Sequence, residues 1–137
     1  MDKIQFSVIV PVFHESERIH FFIEHLNNLE CDGGREIIVV DGSPEEDTIA
    51  AIKGTRVVKL SSSKGRGRQM NRGASIAEGG ILIFIHADTE LPARAFSRIA
   101  SVMKGNKCPA GAFSLGIRSG KFALRALARA ASIRCSR

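Results

Sequence analysis

The sequence predicts an α/β domain built on a mainly parallel sheet flanked by helices, and three observations carry that reading. Two short apolar runs each end on an aspartate: residues 35–40 stop at Asp41, and residues 81–85 pass through His86 and Ala87 into Asp88. Short apolar runs bounded by glycine or polar residues read as strands buried on both faces, as in a parallel sheet. Strand-like and helix-like segments alternate along the chain with short connections, the pattern of repeated βα units joined by right-handed crossovers. Finally, 137 residues at 44% hydrophobic and 25% charged suit one globular domain with a real core. The order of the strands in the sheet is left open by these patterns.

Each element has its own justification. Residues 4–10 form an apolar run that Pro11 is expected to end. A helix follows over residues 16–29, because Ile19, Phe22, Ile23, Leu26 and Leu29 fall on one face. Residues 37–40 make the second strand. Ser43-Pro44-Glu45-Glu46 then reads as a helix start, with Ser43 as N-cap, Pro44 in the first helical position and Glu46 closing a capping box. Residues 56–60 are the third strand, and a helix over residues 66–77 is stopped by Gly79-Gly80. Residues 81–85 are the fourth strand. Pro92 opens a helix whose Phe96, Ile99, Ala100 and Met103 share a face, with Gly105 past its end. Residues 112–117 are expected as a fifth strand and residues 121–133 as a final helix.

Composition narrows the function classes. No apolar run approaches the roughly 20 residues that span a bilayer, and the N-terminus lacks the features of a signal peptide. Cys31, Cys108 and Cys135 form no CxxC pair and read as unpaired thiols, so the expected location is the cytoplasm. The net charge of +6 is concentrated around Lys64, Arg66, Arg68 and Arg72 and in residues 118–137. Such clustering suits a polyanionic partner: a diphosphate, nucleic acid or anionic lipid. The absence of Trp and Tyr removes the usual stacking platforms for single-stranded nucleic acid. His14, His20 and His25 have no metal-ligand spacing and are expected on the surface.

Ligands of parallel sheets sit beyond the carboxyl ends of the strands, so Asp41 and Asp88 are expected to look into one cleft that suits a nucleotide. The first strand is followed by residues 11–16 without a glycine, which argues against the dinucleotide fingerprint, and no Walker-type loop exists. The nucleotide would therefore be held by side chains. Glu15 and Asp41 can accept from a base N–H or a ribose hydroxyl, and Asp88 can hold Mg2+ or Mn2+ bridging the phosphates. In residues 64–71, Gly65 and Gly67 allow close backbone approach while Arg66 and Arg68 can fork onto phosphate or ribose oxygens. Plainer readings stand beside these. Asp41 before Gly42-Ser43 can be a turn-former or helix-capping neighbour, Glu15 can simply favour the positive end of a helix, Asp88 can shape the loop before Pro92, and His86 can be structural.

Taken in order, residues 7–15 (SVIVPVFHE), 39–43 (VVDGS), 65–74 (GRGRQMNRGA) and 84–89 (FIHADT) resemble the GT-A glycosyltransferases of family 2. The His-Ala-Asp and Arg-Gln-Met-Asn details are similar to the bacterial branch named for arsenosugar biosynthesis. The resemblance spans residues 4–117 and implies a GT-A, Rossmann-like fold that transfers sugar from a nucleotide-diphospho-sugar to an acceptor hydroxyl with inversion. It implies a donor-contacting set of Pro11, Glu15, Asp41, Gly65, Arg68, Asn71, His86 and Asp88, with Asp88 on the metal. Two departures accompany it. Many members carry Asp-x-Asp where this chain has His86-Ala87-Asp88, and no Asp or Glu occurs in residues 115–137 to serve as the catalytic base.

The chain is thus expected to be a donor-binding half: a core over residues 1–117, then a basic helical tail over 118–137 that begins an acceptor-binding part cut short. In that tail Lys121, Arg125 and Arg129 form one stripe. The stripe suits peripheral contact with an anionic membrane and a lipid-linked acceptor. The alternative is docking onto further residues, with self-association into a homo-oligomer when these are lacking. The rival functions are a sugar nucleotidyltransferase and a non-catalytic basic module for nucleic acid or membrane. The main reading expects no nucleic-acid partner.

Overall fold

The computed structural model describes residues 3–54, 56–105 and 110–113. Its elements in chain order are β1 (Ile4–Val12), α1 (Ile19–Asn28), β2 (Gly34–Asp41), α2 (Asp47–Ala51), β3 (Val57–Ser61), α3 (Arg66–Ala74), β4 (Ile81–Phe84) and α4 (Ala95–Gly105). All pairings are parallel and the strand order is β3-β2-β1-β4. Two compact units are distinguishable, Met1–Ser97 and Arg98–Arg137, and the sheet belongs to the first. Of the expected fifth strand, Ala112 and Phe113 are described and are not in a strand. The rest of that segment and the expected helix over 121–133 lie outside the described residues.

The core follows from the pleat. Register pairs Ile9 with Ile38 and Pro11 with Val40, so alternate side chains of neighbouring strands share a face. Ile9, Ile38 and Val40 are buried beneath α3, joined by Leu60, Ala74 and Ala77. Gly73 allows this approach: a Cβ there would lie 2.6 Å from Ile9 Cγ2. On the opposite face Phe6 meets Phe96 with ring centroids 5.1 Å apart. Right-handed crossovers from β1 to β2 and from β2 to β3 place α1 and α2 on that face also. Ile19, Phe22 and Leu26 make the buried stripe of α1.

The strand order carries the main functional information. The chain builds outward from β1 to β3, then returns through α3 to lay β4 on the other side of β1. The reversal makes the carboxyl ends of β1 and β4 the topological switch point of an open α/β sheet, where ligands of such sheets sit.

Pro11 does not end the first strand, which continues to Val12. The carbonyl of Ile9 accepts from the Ile85 N–H at 3.1 Å, so Ile9 points its polar groups toward β4. By the two-residue alternation Pro11 faces the same way, beyond the last residue of β4, where no strand needs the N–H it lacks. The expected start of α2 also differs. Glu46 is left-handed (φ 51°), the helix begins at Asp47, and Ser43 does not cap it. Helix α3 ends at Ala74 because the chain turns there, with Ile76 N–H donating to the Gly73 carbonyl. Gly79 serves a close approach: its N–H donates to Ser7 Oγ at 2.8 Å, and a Cβ would sit 2.6 Å from the Ser7 nitrogen. Ser7 Oγ donates in turn to Glu36, which also accepts from the Glu78 N–H. This ties the turn before β4 to the amino end of the sheet.

Candidate functional site

Glu15, Asp41 and Asp88 all emerge at the carboxyl end of the sheet, after β1, at the end of β2 and after β4. These strands are neighbours, so the ends of β2 and β4 flank β1 at about 5 Å each. The sheet topology places all three acidic residues at one sheet end. What each one does there differs.

Asp41 is turned inward. It is fully buried, and its Oδ1 accepts from the Ser43 N–H at 2.9 Å. Its Oδ2 accepts from the N–H groups of Thr48 and Ile49 at 3.0 and 3.2 Å. These are orphan donors of the first turn of α2, so a carboxylate from the preceding strand end does the capping expected of Ser43. In this structure the Asp41 carboxylate is buried and caps α2, as the helix-capping reading has it. Pro11 is likewise buried within β1.

The loop after β1 is pinned from both sides. The Glu15 N–H donates to Thr48 Oγ1 at 2.9 Å, while its carbonyl accepts from Arg18 and Ile19, opening α1. His14 is left-handed (φ 54°), and its Nδ1 lies 3.0 Å from Asp47 Oδ1. Asp47 also accepts from Ser43 Oγ at 2.8 Å. The Ser43 hydroxyl first, and His14 after it, hold the Asp47 carboxyl below its ordinary value against the opposing effect of burial. Phe13 packs edge-on against His14, and Lys64 Nζ sits 4.7 Å from the Phe13 ring centroid.

That cation–π contact joins the loop after β1 to the loop leading into α3. Gly65 has φ 139°, a conformation open to glycine, and the first intrahelical bond runs from Gln69 N–H to its carbonyl. No side chain caps α3, so the N–H groups of Arg66, Gly67 and Arg68 form a positive helix end. Arg66 and Arg68 are exposed beside it. Asn71, about 200° around the helix from buried Gln69, is on the exposed face of α3.

Gln69 is a residue that sequence reasoning missed. Its Nε2 donates to the carbonyls of Val12 and Val40 at 2.7 and 2.8 Å, clamping the ends of β1 and β2 together. The signal existed, since Gln69 is one turn before Gly73 and shares its sheet-facing side. His25 was expected on the surface, yet it is part-buried, with Nε2 accepting from the Leu91 N–H at 3.1 Å. It thereby fixes the loop that carries Asp88.

Asp88 itself is exposed, and one carboxylate oxygen accepts from the Thr89 hydroxyl at 3.2 Å. His86 is half-buried, its carbonyl accepting from the Thr89 N–H. Among the described residues no group of three or more His, Cys, Asp and Glu could hold a metal by itself. One open carboxylate with a nearby imidazole fits a hard cation that takes its remaining ligands from phosphate and water.

The model of the Glycosyl transferase family 2 matches residues 7–129, which covers the sheet, the switch-point loops and α3. The chain belongs to that family. Among curated relatives, the glycosyltransferase YfnE of Bacillus subtilis (strain 168) is 30% identical over 88 residues, covering 60% of this chain and 22% of its own. The dolichyl-phosphate beta-glucosyltransferase of Dictyostelium discoideum is 24% identical over 119 residues, covering 75% of this chain and 36% of its own. The crystal structure of S. aureus TarS matches with TM-score 0.53 and 20% identity over 72% of this chain and 19% of that one, and shares the fold. The α/β sheet is thus a GT-A sheet, and this family 2 chain spans between about a fifth and a third of the relatives' length.

Proposed function

We propose that this family 2 chain is the donor-binding part of an inverting glycosyltransferase, holding a nucleotide-diphospho-sugar across the carboxyl ends of β1 and β4. The observation that carries the reading is the meeting of opposite charges at one sheet end. Glu15 and Asp88 stand at the switch point, and the positive end of α3 is tied to it through the Lys64–Phe13 contact.

Glu15 accepts from the base or ribose. Lys64, Arg66, Arg68 and the free N–H groups of α3 hold the diphosphate, where charge-assisted and forked hydrogen bonds are strongest. Asp88, with His86 beside it, would hold Mg2+ or Mn2+, which supplies neutralising charge for a departing diphosphate. As the acceptor oxygen bonds to the anomeric carbon, the bond to the diphosphate breaks, and the α3 end meets the negative charge that develops. The proton of the acceptor hydroxyl goes to a base, and because residues 115–137 hold no Asp or Glu to serve as one, this chain by itself is proposed to bind donor with little turnover. The name of the dolichyl-phosphate relative supports a lipid-linked acceptor.

Calorimetry with UDP, GDP and their sugars tests this, with Mn2+ and with EDTA, on the wild type and Asp88→Ala. The expected result is metal-dependent binding of one nucleotide, weakened at least about tenfold by either EDTA or Asp88→Ala. Salt-sensitive binding to DNA, RNA or anionic vesicles, indifferent to Mn2+ and to Asp88→Ala, would overturn it in favour of a basic binding module.

A further inference from the structure

We infer that Thr48 is the positioning residue for Glu15, and that Asp41 governs donor affinity through it without touching the donor. The inference rests on the donor role of Glu15 proposed above. Three polar groups stand in series. The Asp41 carboxylate accepts the Thr48 N–H at 3.0 Å and so fixes the first turn of α2. The Thr48 hydroxyl then accepts the Glu15 N–H at 2.9 Å. The Glu15 carbonyl, on its other side, accepts from Arg18 and Ile19 at 3.0 Å each. With its N–H held by α2 and its carbonyl held by α1, the Glu15 backbone has little freedom, and its side chain leaves from a fixed point.

A second rung runs parallel to the first, pairing His14 with Asp47 one residue earlier on each segment. The two rungs are not equivalent. The His14 and Asp47 side chains are 50% and 30% exposed, so water screens and competes with their contact. Thr48 is fully buried. Removing its oxygen takes the acceptor from the Glu15 N–H in a part-buried setting, and a donor left without a partner costs more than a made bond contributes. The buried rung is therefore the one that sets the position of Glu15. Asp41 and Thr48 both serve α2, a helix of five residues that forms few bonds of its own. Their placement makes β2 and α2 a scaffold for a side chain on a different loop.

The test is a double-mutant cycle on nucleotide affinity, using the tighter of UDP and GDP in the presence of Mn2+, with urea unfolding of each variant. Thr48→Ser keeps the accepting oxygen and is expected to bind within about twofold of wild type. Thr48→Val keeps the shape without the acceptor and is expected to bind about tenfold more weakly. In a Glu15→Ala background, Thr48→Val should add no more than about twofold, because the group it positions is gone. Full additivity of the two effects, or an unchanged affinity in Thr48→Val, overturns the inference while leaving the role of Glu15 standing. If Glu15→Ala itself binds like wild type, or if neither nucleotide binds, the donor reading falls and this inference falls with it.

Discussion

At the scale of single residues, Asp41 shows how one side chain can serve a site from underneath it. Its two oxygens accept three backbone N–H groups in a fully buried setting. Asp41→Ala leaves all three without that acceptor. The expected loss is about 3 kcal/mol, read as a lower urea midpoint with an unchanged slope. Asp47 makes a separate prediction about acid. Its carboxyl titrates below the ordinary 3.8 because the Ser43 hydroxyl, then His14, favour the charged form. A depressed folded value means that the contribution is present above the unfolded value and is lost as pH falls through the folded one. The stability difference between wild type and Asp47→Asn should therefore shrink as pH falls from about 5 through the folded value, which unfolding curves at stepped pH would show. That Asp41 closes a strand was legible from residues 35–41, because an apolar run ending in a carboxylate is a local pattern. Which way its carboxylate turns was not, since the N–H groups it meets belong to Thr48 and Ile49 across a loop.

At the scale of elements, α3 illustrates a helix chosen for what it clamps. Gln69 donates from α3 to the carbonyls of Val12 and Val40, so one buried amide joins the ends of β1 and β2. Gln69→Leu removes both bonds. The Val12 carbonyl keeps the Gly42 N–H at 3.0 Å, and the register of Val12 opposite Asp41 sets the Val12 N–H toward the Val40 carbonyl, so the expected loss is only about 1 kcal/mol by urea unfolding. Existence and type of the eight described elements were legible locally, most from apolar runs and periodicity and α2 from its start signals. The boundaries that moved did so for nonlocal reasons. Pro11 is tolerated in β1 because β4 is too short to need its N–H. The start of α2 shifted from Ser43 to Asp47 because a strand-end carboxylate outcompetes a local hydroxyl for the helix donors.

At the scale of the whole molecule, the strand order turns separate motifs into a site. Consecutive strands alone would place the ends of β1 and β4 far apart. The reversal to β3-β2-β1-β4 makes them neighbours and forms the switch point at which Glu15 and Asp88 stand. The Asp88→Ala calorimetry belongs to this scale, because a carboxylate from β4 and phosphate-binding groups from α3 serve one ligand only if the topology unites them. Among the described residues β4 is an edge strand, and its Leu82 and Phe84 are 41% and 48% exposed, on the face that α3 covers elsewhere.

By itself the sequence determined the parallel α/β class, the family, and the acidic residues at strand ends, because alternation, apolar runs and ordered motifs are properties of neighbouring residues. Only the tertiary structure decided that Asp41 faces α2, and that Gln69 and His25 brace the site loops. Those outcomes depend on hydrogen-bond partners tens of residues distant, and on a strand order that no local pattern encodes.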